Sequence, residues 1–253
     1  MSALRIGCSG WTYKDWKGPF YPAKTPDRLL LEHYATCFDT AEINASFYRL
    51  PSEQMVEGWT RRPPRGFLFA WKVSRFITHN KKLNDCADSV ALVFGRMAPL
   101  GDRLGPALVQ LPPMLHRDDD RLARFLDLLP KGGRCTVEFR HPSWYDPAVF
   151  RILADHDAAL CISDHHSAPS PWEATASFVY LRGHGPGGRY RGRYPPAELD
   201  LWAERIAAWR RQGRDAFAYF DNDIKSAAPF DAQALMTLAG AAPYGGRAAD
   251  PGS

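Results

Sequence analysis

Eight short apolar segments recur along this chain, at residues 4–8, 38–44, 67–73, 106–111, from Cys135 onward, 159–163, 177–182 and 216–220. Seven of the eight are followed by apolar residues at helical spacing, among them Leu29, Leu30 and Tyr34 after the first and Leu199, Trp202, Ala203, Ile206 and Trp209 after the seventh. Alternating strand and helix signals predict parallel strands joined by crossover helices. Eight such units in about 240 residues predict an α/β fold of the (β/α)8 (TIM) barrel type rather than two domains. No Gly-x-Gly-x-x-Gly follows the first segment and no P-loop is present, which removes the usual grounds for an open doubly wound sheet.

The boundaries follow from local chemistry. Thr25 is expected to cap the first helix with Pro26 at its first position, Ser52 the second, and Asp146 with Pro147 the one after the fifth strand. Pro63-Pro64 ends the second helix. After the sixth strand, Pro169 and Pro171 leave no room for a helix, so that β/α unit is expected to be degenerate. From Gly240 the chain turns rich in Gly, Ala and Pro, giving a single barrel domain over 1–240 and a flexible tail over 241–253.

Side chains of a strand alternate faces, so the fifth strand places Val137 and Phe139 on one side and Thr136, Glu138 and Arg140 on the other. The same parity groups Thr40, Glu42 and Asn44, and puts Lys72 with Leu68 and Ala70. Reading the C-terminal strand ends, where barrels of this class carry their sites, gives Ser9, Glu42, Asn44, Lys72, Gln110, Glu138, Arg140, Asp164, Arg182, His184, Asp221 and Asn222. Every strand ends in a polar or ionisable group, whereas the opposite ends are mainly small or apolar. The alternative is that these ions merely form a salt-bridged lid over the core.

A net charge of +4 and a pI of about 8.8 allow an anionic ligand or nucleic acid without requiring either. Five scattered cysteines with no C-x-x-C pair read as reduced thiols. Met1 leads directly into a strand and no apolar run has the length of a membrane span, so a cytoplasmic protein with no membrane partner is expected. Arg182-Gly-His-Gly-Pro-Gly-Gly-Arg189, after the seventh strand, is either an anion-binding loop or a plain surface loop. Asp164-His-His166, with His141, His184, Glu138 and Asp223, supplies metal-donor types, but no spacing matches a metal signature and no cofactor is expected. Trp11, Tyr13, Trp16, Phe20 and Tyr21 form an aromatic loop that either walls the mouth or packs on the barrel.

Taken together, Gly7-Cys-Ser-Gly-Trp-Thr-Tyr13, Glu42-Ile-Asn44, Phe47-Tyr-Arg-Leu-Pro51, Lys72 with Ile77-Thr-His79, Gln110-Leu-Pro-Pro113, Glu138-Phe-Arg-His141, Arg182-Gly-His-Gly185 and Tyr219-Phe-Asp-Asn-Asp223 resemble the domain of unknown function 72 (DUF72, YecE-like) family. The resemblance spans Ile6 to about Leu238 and implies a TIM barrel with no agreed activity. Relatives often carry Asn in place of Asp221, and the segment after His166 is short, so no role is carried over to either.

These readings lead to an enzyme acting on a small anionic, phosphorylated or carboxylated, sugar-like substrate. Glu138 or Glu42 would move a proton, with His184 as a second acid/base and Lys72 as a cation or, if desolvated, a Schiff-base amine. Arg140 and Arg182 would bind the anion, with further substrate contacts from Asn44, Gln110, His141, Asp221, Asn222, Trp11, Tyr13 and Tyr48. A metal-dependent phosphodiesterase on nucleic acid and a non-catalytic binding protein are the alternatives.

Overall fold

The computed structural model describes residues 2–241, so the tail expected over 241–253 lies, beyond Ala241, outside the described residues. Its strands are β1 (Leu4–Cys8), β2 (Thr40–Ile43), β3 (Leu68–Lys72), β4 (Leu104–Gln110), β5 (Cys135–Glu138), β6 (Ala158–Ser163), β7 (Phe178–Gly183) and β8 (Asp215–Phe220). They pair in parallel in the order β1-β8-β7-β6-β5-β4-β3-β2. The helices are α1 (Leu30–Tyr34), α2 (Ala45–Tyr48), α3 (Glu53–Arg61), α4 (Ala87–Met97), α5 (Asp119–Asp127), α6 (Pro147–Asp155), α7 (Pro196–Arg211) and α8 (Ala227–Leu238). This is a (β/α)8 barrel whose sixth unit has no helix, since residues 164–177 run irregularly from β6 to β7.

Local capping explains most boundaries. The Ser52 hydroxyl accepts the Met55 N–H, the Asp118 carboxylate the Arg121 N–H, and the Asp146 carboxylate the Ala148 N–H. The first helix differs from expectation. Pro26, not Thr25, flanks a 3-10 turn over Asp27–Leu29, and α1 starts only at Leu30. Leu30, Leu31 and Tyr34 are buried while Leu29 is exposed, so the apolar stripe is one residue out of phase with the sequence reading.

Strand parity divides the core in two. Outward side chains such as Val137, Phe139, Trp71 and Leu181 pack under the helices. Inward ones, including Ala70, Leu108, Ala159, Cys161, Phe178, Tyr180, Phe217 and Tyr219, fill the barrel. The lower end is not free of ions, as Arg5 pairs with Asp39 and Arg134 with Asp215.

One seam lacks a ladder. Between β1 and β2 the only bridge among the described residues joins Ser9 and Glu42. Below it the Tyr34 hydroxyl replaces the missing strand pairing, accepting the Cys8 N–H at 2.7 Å and donating to the Thr40 carbonyl at 3.0 Å. A Cβ on Gly7 would collide with that carbonyl oxygen and with the Tyr34 hydroxyl, so glycine permits the close approach. Tyr34→Phe strands two buried backbone groups and is expected to cost about 2 kcal/mol in urea denaturation. A loss within error would mean that water or strand movement closes the seam equally well.

Candidate active site

The last inward residue of each strand, or the residue just past it, is Ser9, Glu42, Lys72, Gln110, Glu138, Ser163, Arg182 or Asp221. Parity alone therefore builds a polar ring at the C-terminal mouth. Its hub is Arg182, which is fully buried. The Arg182 guanidinium donates to Glu42 from Nε (3.1 Å) and Nη2 (2.8 Å), to Asp221 from Nη2 (2.8 Å) and to Glu138 from Nη1 (3.0 Å).

Both buried glutamates are fully partnered. Glu42 accepts the Ser9 hydroxyl on Oε1 and the Tyr180 hydroxyl on Oε2 at 2.6 Å. Glu138 pairs with Arg140 Nη2 at 2.5 Å and accepts Gln110 Nε2 at 2.8 Å. Burial by itself would raise both carboxyl groups. Arg182 with the Ser9 and Tyr180 hydroxyls outweighs it at Glu42, and Arg140 with Arg182 outweighs it at Glu138, so Glu42 is held below and Glu138 well below the usual carboxylate range. A carboxylate with a depressed folded pKa contributes stability that is present above its unfolded value of 4.5 and lost as pH falls through the folded one. Glu138→Gln is accordingly expected to flatten the acid limb of a stability-versus-pH curve below pH 4.5. A limb identical to that of the wild type would place the acid-sensitive group elsewhere.

His184 is fixed in one tautomer. Its Nε2 faces Arg182 Nη1 at 3.1 Å and Arg140 Nη2 at 3.3 Å, both of which can only donate, so Nε2 accepts. Nδ1 then carries the proton and donates to Asp164 Oδ1 at 3.1 Å, an acceptor that also takes the His184 N–H at 2.7 Å. Asp164 is held from the far side by the Tyr194 hydroxyl.

Lys72 stands apart in this ring. It is only 9% exposed, and its ammonium has no hydrogen bond or ion pair to any described side chain; the Phe47 ring lies against it, with Nζ 4.2 Å from the centroid. Burial and the nearby Arg182 lower its pKa from 10.5 to about 8, against the opposing pull of Glu138, Asp221 and Glu42. Arg140 likewise has a buried Nε with no partner among the described residues.

Two glycines of the seventh loop, Gly185 and Gly188, serve packing. A Cβ on Gly185 would strike the Arg191 backbone, and one on Gly188 would strike Asp164 and His166. The Gly185 and Gly188 amides are used internally, on the Tyr194 hydroxyl and the Gly185 carbonyl. The loop thereby lays Tyr190 over the ring, with its hydroxyl 3.1 Å from Arg140 Nη1 and its ring edge-on to His184. Arg189 and Arg191 point to solvent.

Of the residues expected from sequence, Glu138, Lys72, Glu42, His184, Arg140, Arg182, Gln110, Asn44 and Asp221 are brought together. Asn44 donates to the Ser9 hydroxyl at 2.8 Å and also lines a cavity of about 510 Å³ with Trp11, Tyr13, Met55 and Trp59, so those aromatics flank the ring. Trp16 and Tyr21 belong to the core. Three expected contacts lie elsewhere. Tyr48 is 70% exposed beside Phe76 and Leu92. His141 stacks on His116 and bonds Ser143. Asn222 faces α8, donating to Asp231 at 2.8 Å and to the Gly192 carbonyl at 2.7 Å, because it has the parity opposite to Asp221.

Sequence reasoning missed Ser163, Tyr180 and Tyr190. Tyr180 was findable from parity with Arg182, but Tyr190 reaches the ring through a loop conformation that no local pattern signals. Asp223, beside Asp221, is pushed well above the usual carboxyl range by burial and by that neighbour, and its Oδ1 has no partner among the described residues. No three His, Cys, Asp or Glu side chains among the described residues are grouped so as to hold a metal ion. Among the same residues, no helix is long and apolar enough to cross a membrane.

The family model "Protein of unknown function DUF72" matches residues 5–251. The chain belongs to the DUF72 family. The DUF72 chain is 36% identical to the UPF0759 protein YecE of Escherichia coli K12 over 143 residues, a match covering 56% of this chain and 50% of that protein. It is 25% identical to the UPF0759 protein YunF of Bacillus subtilis over 93% of this chain and 94% of that one. A DUF72 family protein from Thermotoga maritima superposes with a TM-score of 0.85 at 24% identity, covering 93% of this chain and 98% of the other, which shows the shared fold.

Proposed function

We propose that this DUF72 protein is an enzyme that binds a small carboxylated or phosphorylated substrate at the barrel mouth and acts on it by acid/base chemistry. The observation that carries the reading is Lys72, a largely buried residue whose ammonium has no hydrogen bond or ion pair to any described residue, in a ring whose other cations are paired. A buried charge is costly without a partner, and an anionic substrate group supplies one. The proton-moving part expected of Glu138 and Glu42 passes to Lys72 on this reading, since the two glutamates are held ionised and Lys72 titrates nearer neutrality, at about 8. Arg182 is a positioning residue, because all of its contacts are internal.

Calorimetric titration with inorganic phosphate and with succinate tests the reading. The ammonium form binds, so affinity is expected to be constant below pH 8 and to fall by about tenfold per pH unit above it. Lys72 answers in this range to Arg182, Glu138, Asp221 and Glu42. Affinity independent of pH between 7 and 10, or no binding of either anion, counts against the assignment.

A further inference from the structure

We infer that Lys72 forms a covalent imine with its substrate, which makes the substrate a carbonyl compound bearing an anionic group, such as a 2-oxo acid. The inference rests on the anion-binding reading of the same site and names the class of molecule that the site takes.

Three features of the geometry support a nucleophile rather than a plain counter-ion. First, Nζ has no hydrogen bond to any described residue, so none of them blocks its lone pair once the proton is gone. An amine held only by the face of Phe47 has a free side from which to attack. Second, the positive guanidinium of Arg182 lies in the same buried ring, and a desolvated lysine beside a cation is the arrangement that frees an amine near neutral pH. Third, Arg140, a guanidinium of the same ring, is at hand for the carbonyl's anionic neighbour. A lysine that served only to bind an anion would be replaceable by arginine, whose planar fork does that better.

The step balances without any oxidant or metal. The Lys72 ammonium gives one proton to solvent water, and the Nζ lone pair attacks the carbonyl carbon. The C–N bond forms as the C=O π pair moves to oxygen, which takes a proton back from that water. The second N–H proton of the adduct passes to the hydroxyl, the C–O bond breaks, water leaves and the nitrogen lone pair closes a protonated C=N bond. Overall an ammonium and a carbonyl become an iminium and water.

The experiment incubates the full-length protein with glyoxylate or pyruvate and then with sodium borohydride, followed by intact mass measurement and peptide mapping, beside a thermal-shift measurement with the same oxo acids. The expected result is one reduced adduct on Lys72, formed roughly tenfold or more faster than on any surface lysine, and absent from Lys72→Arg. A thermal shift with no adduct at Lys72 overturns the imine and leaves the anion-binding reading standing. Labelling spread over surface lysines at equal rates overturns the imine in the same way. Neither shift nor adduct overturns both.

Discussion

Replacing Arg182 with methionine is expected to cost about 3–5 kcal/mol of stability at pH 7, because it leaves buried carboxylates without their cation. Arg182 is fully buried and bonds Glu42, Glu138 and Asp221 together, so one substitution exposes three like charges to one another. In a chain of this length such a loss lowers Tm by about 10 °C. The pH dependence gives the mechanism away. Without Arg182, burial drives the Glu42 pKa above its unfolded value, while Glu138 keeps Arg140, so the penalty is largest at neutral pH and shrinks as acid protonates Glu42. Urea denaturation from pH 4 to 8 measures this. A deficit below about 1 kcal/mol, or one that does not change with pH, would show that Arg182 is not the hub of the ring.

Lys72→Met is expected to do the reverse, removing ligand binding while stabilising the fold. A shift from 10.5 to about 8 corresponds to a penalty on the order of 3 kcal/mol for keeping the ammonium buried at pH 7. Methionine fills similar space without that penalty, so a gain of about 1–3 kcal/mol is expected. Between pH 8 and 10.5 the unfolded chain binds the lysine proton more than the folded one does. Wild-type stability therefore climbs through that window, and the variant lacks the climb. Subtracting the two urea-denaturation profiles isolates Lys72 from the other alkaline titrations. Phosphate or succinate affinity should fall about 100-fold, the worth of a charged hydrogen bond in a dry site. A variant that is destabilised, or that binds either anion as tightly as the wild type does, contradicts both the proposed site and its central residue.

These two residues show how far the chain could be read before its structure. Lys72 and Arg182 both belong to inward-facing parity sets and both end a strand, so both were placed at the mouth from sequence. The sequence reading gives Lys72 a catalytic part and Arg182 an anion-binding one, as two of three cations facing several carboxylates. The structure separates them, since Arg182 has no contact to spare and Lys72 makes no polar contact to a described side chain. The glycines of the seventh loop likewise carry no local sign of whether they face a ligand or, as Gly188 does, the backbone of Asp164 and His166.

The sequence by itself determined the eight β/α units, the missing sixth helix, the inward and outward faces and the chemical types at the mouth. Those properties depend on alternation and capping within a few residues, and a chain carries them locally. Only the tertiary structure decided which charges neutralise one another, that Tyr34 closes the seam between β1 and β2, that Tyr190 reaches Arg140 and that Asn222 turns away. Each of these depends on how strands far apart in sequence stand against one another, as Glu42 and Arg182 do across 140 residues. Barrel closure and strand stagger fix that relation, and neither is encoded in any single stretch of the chain.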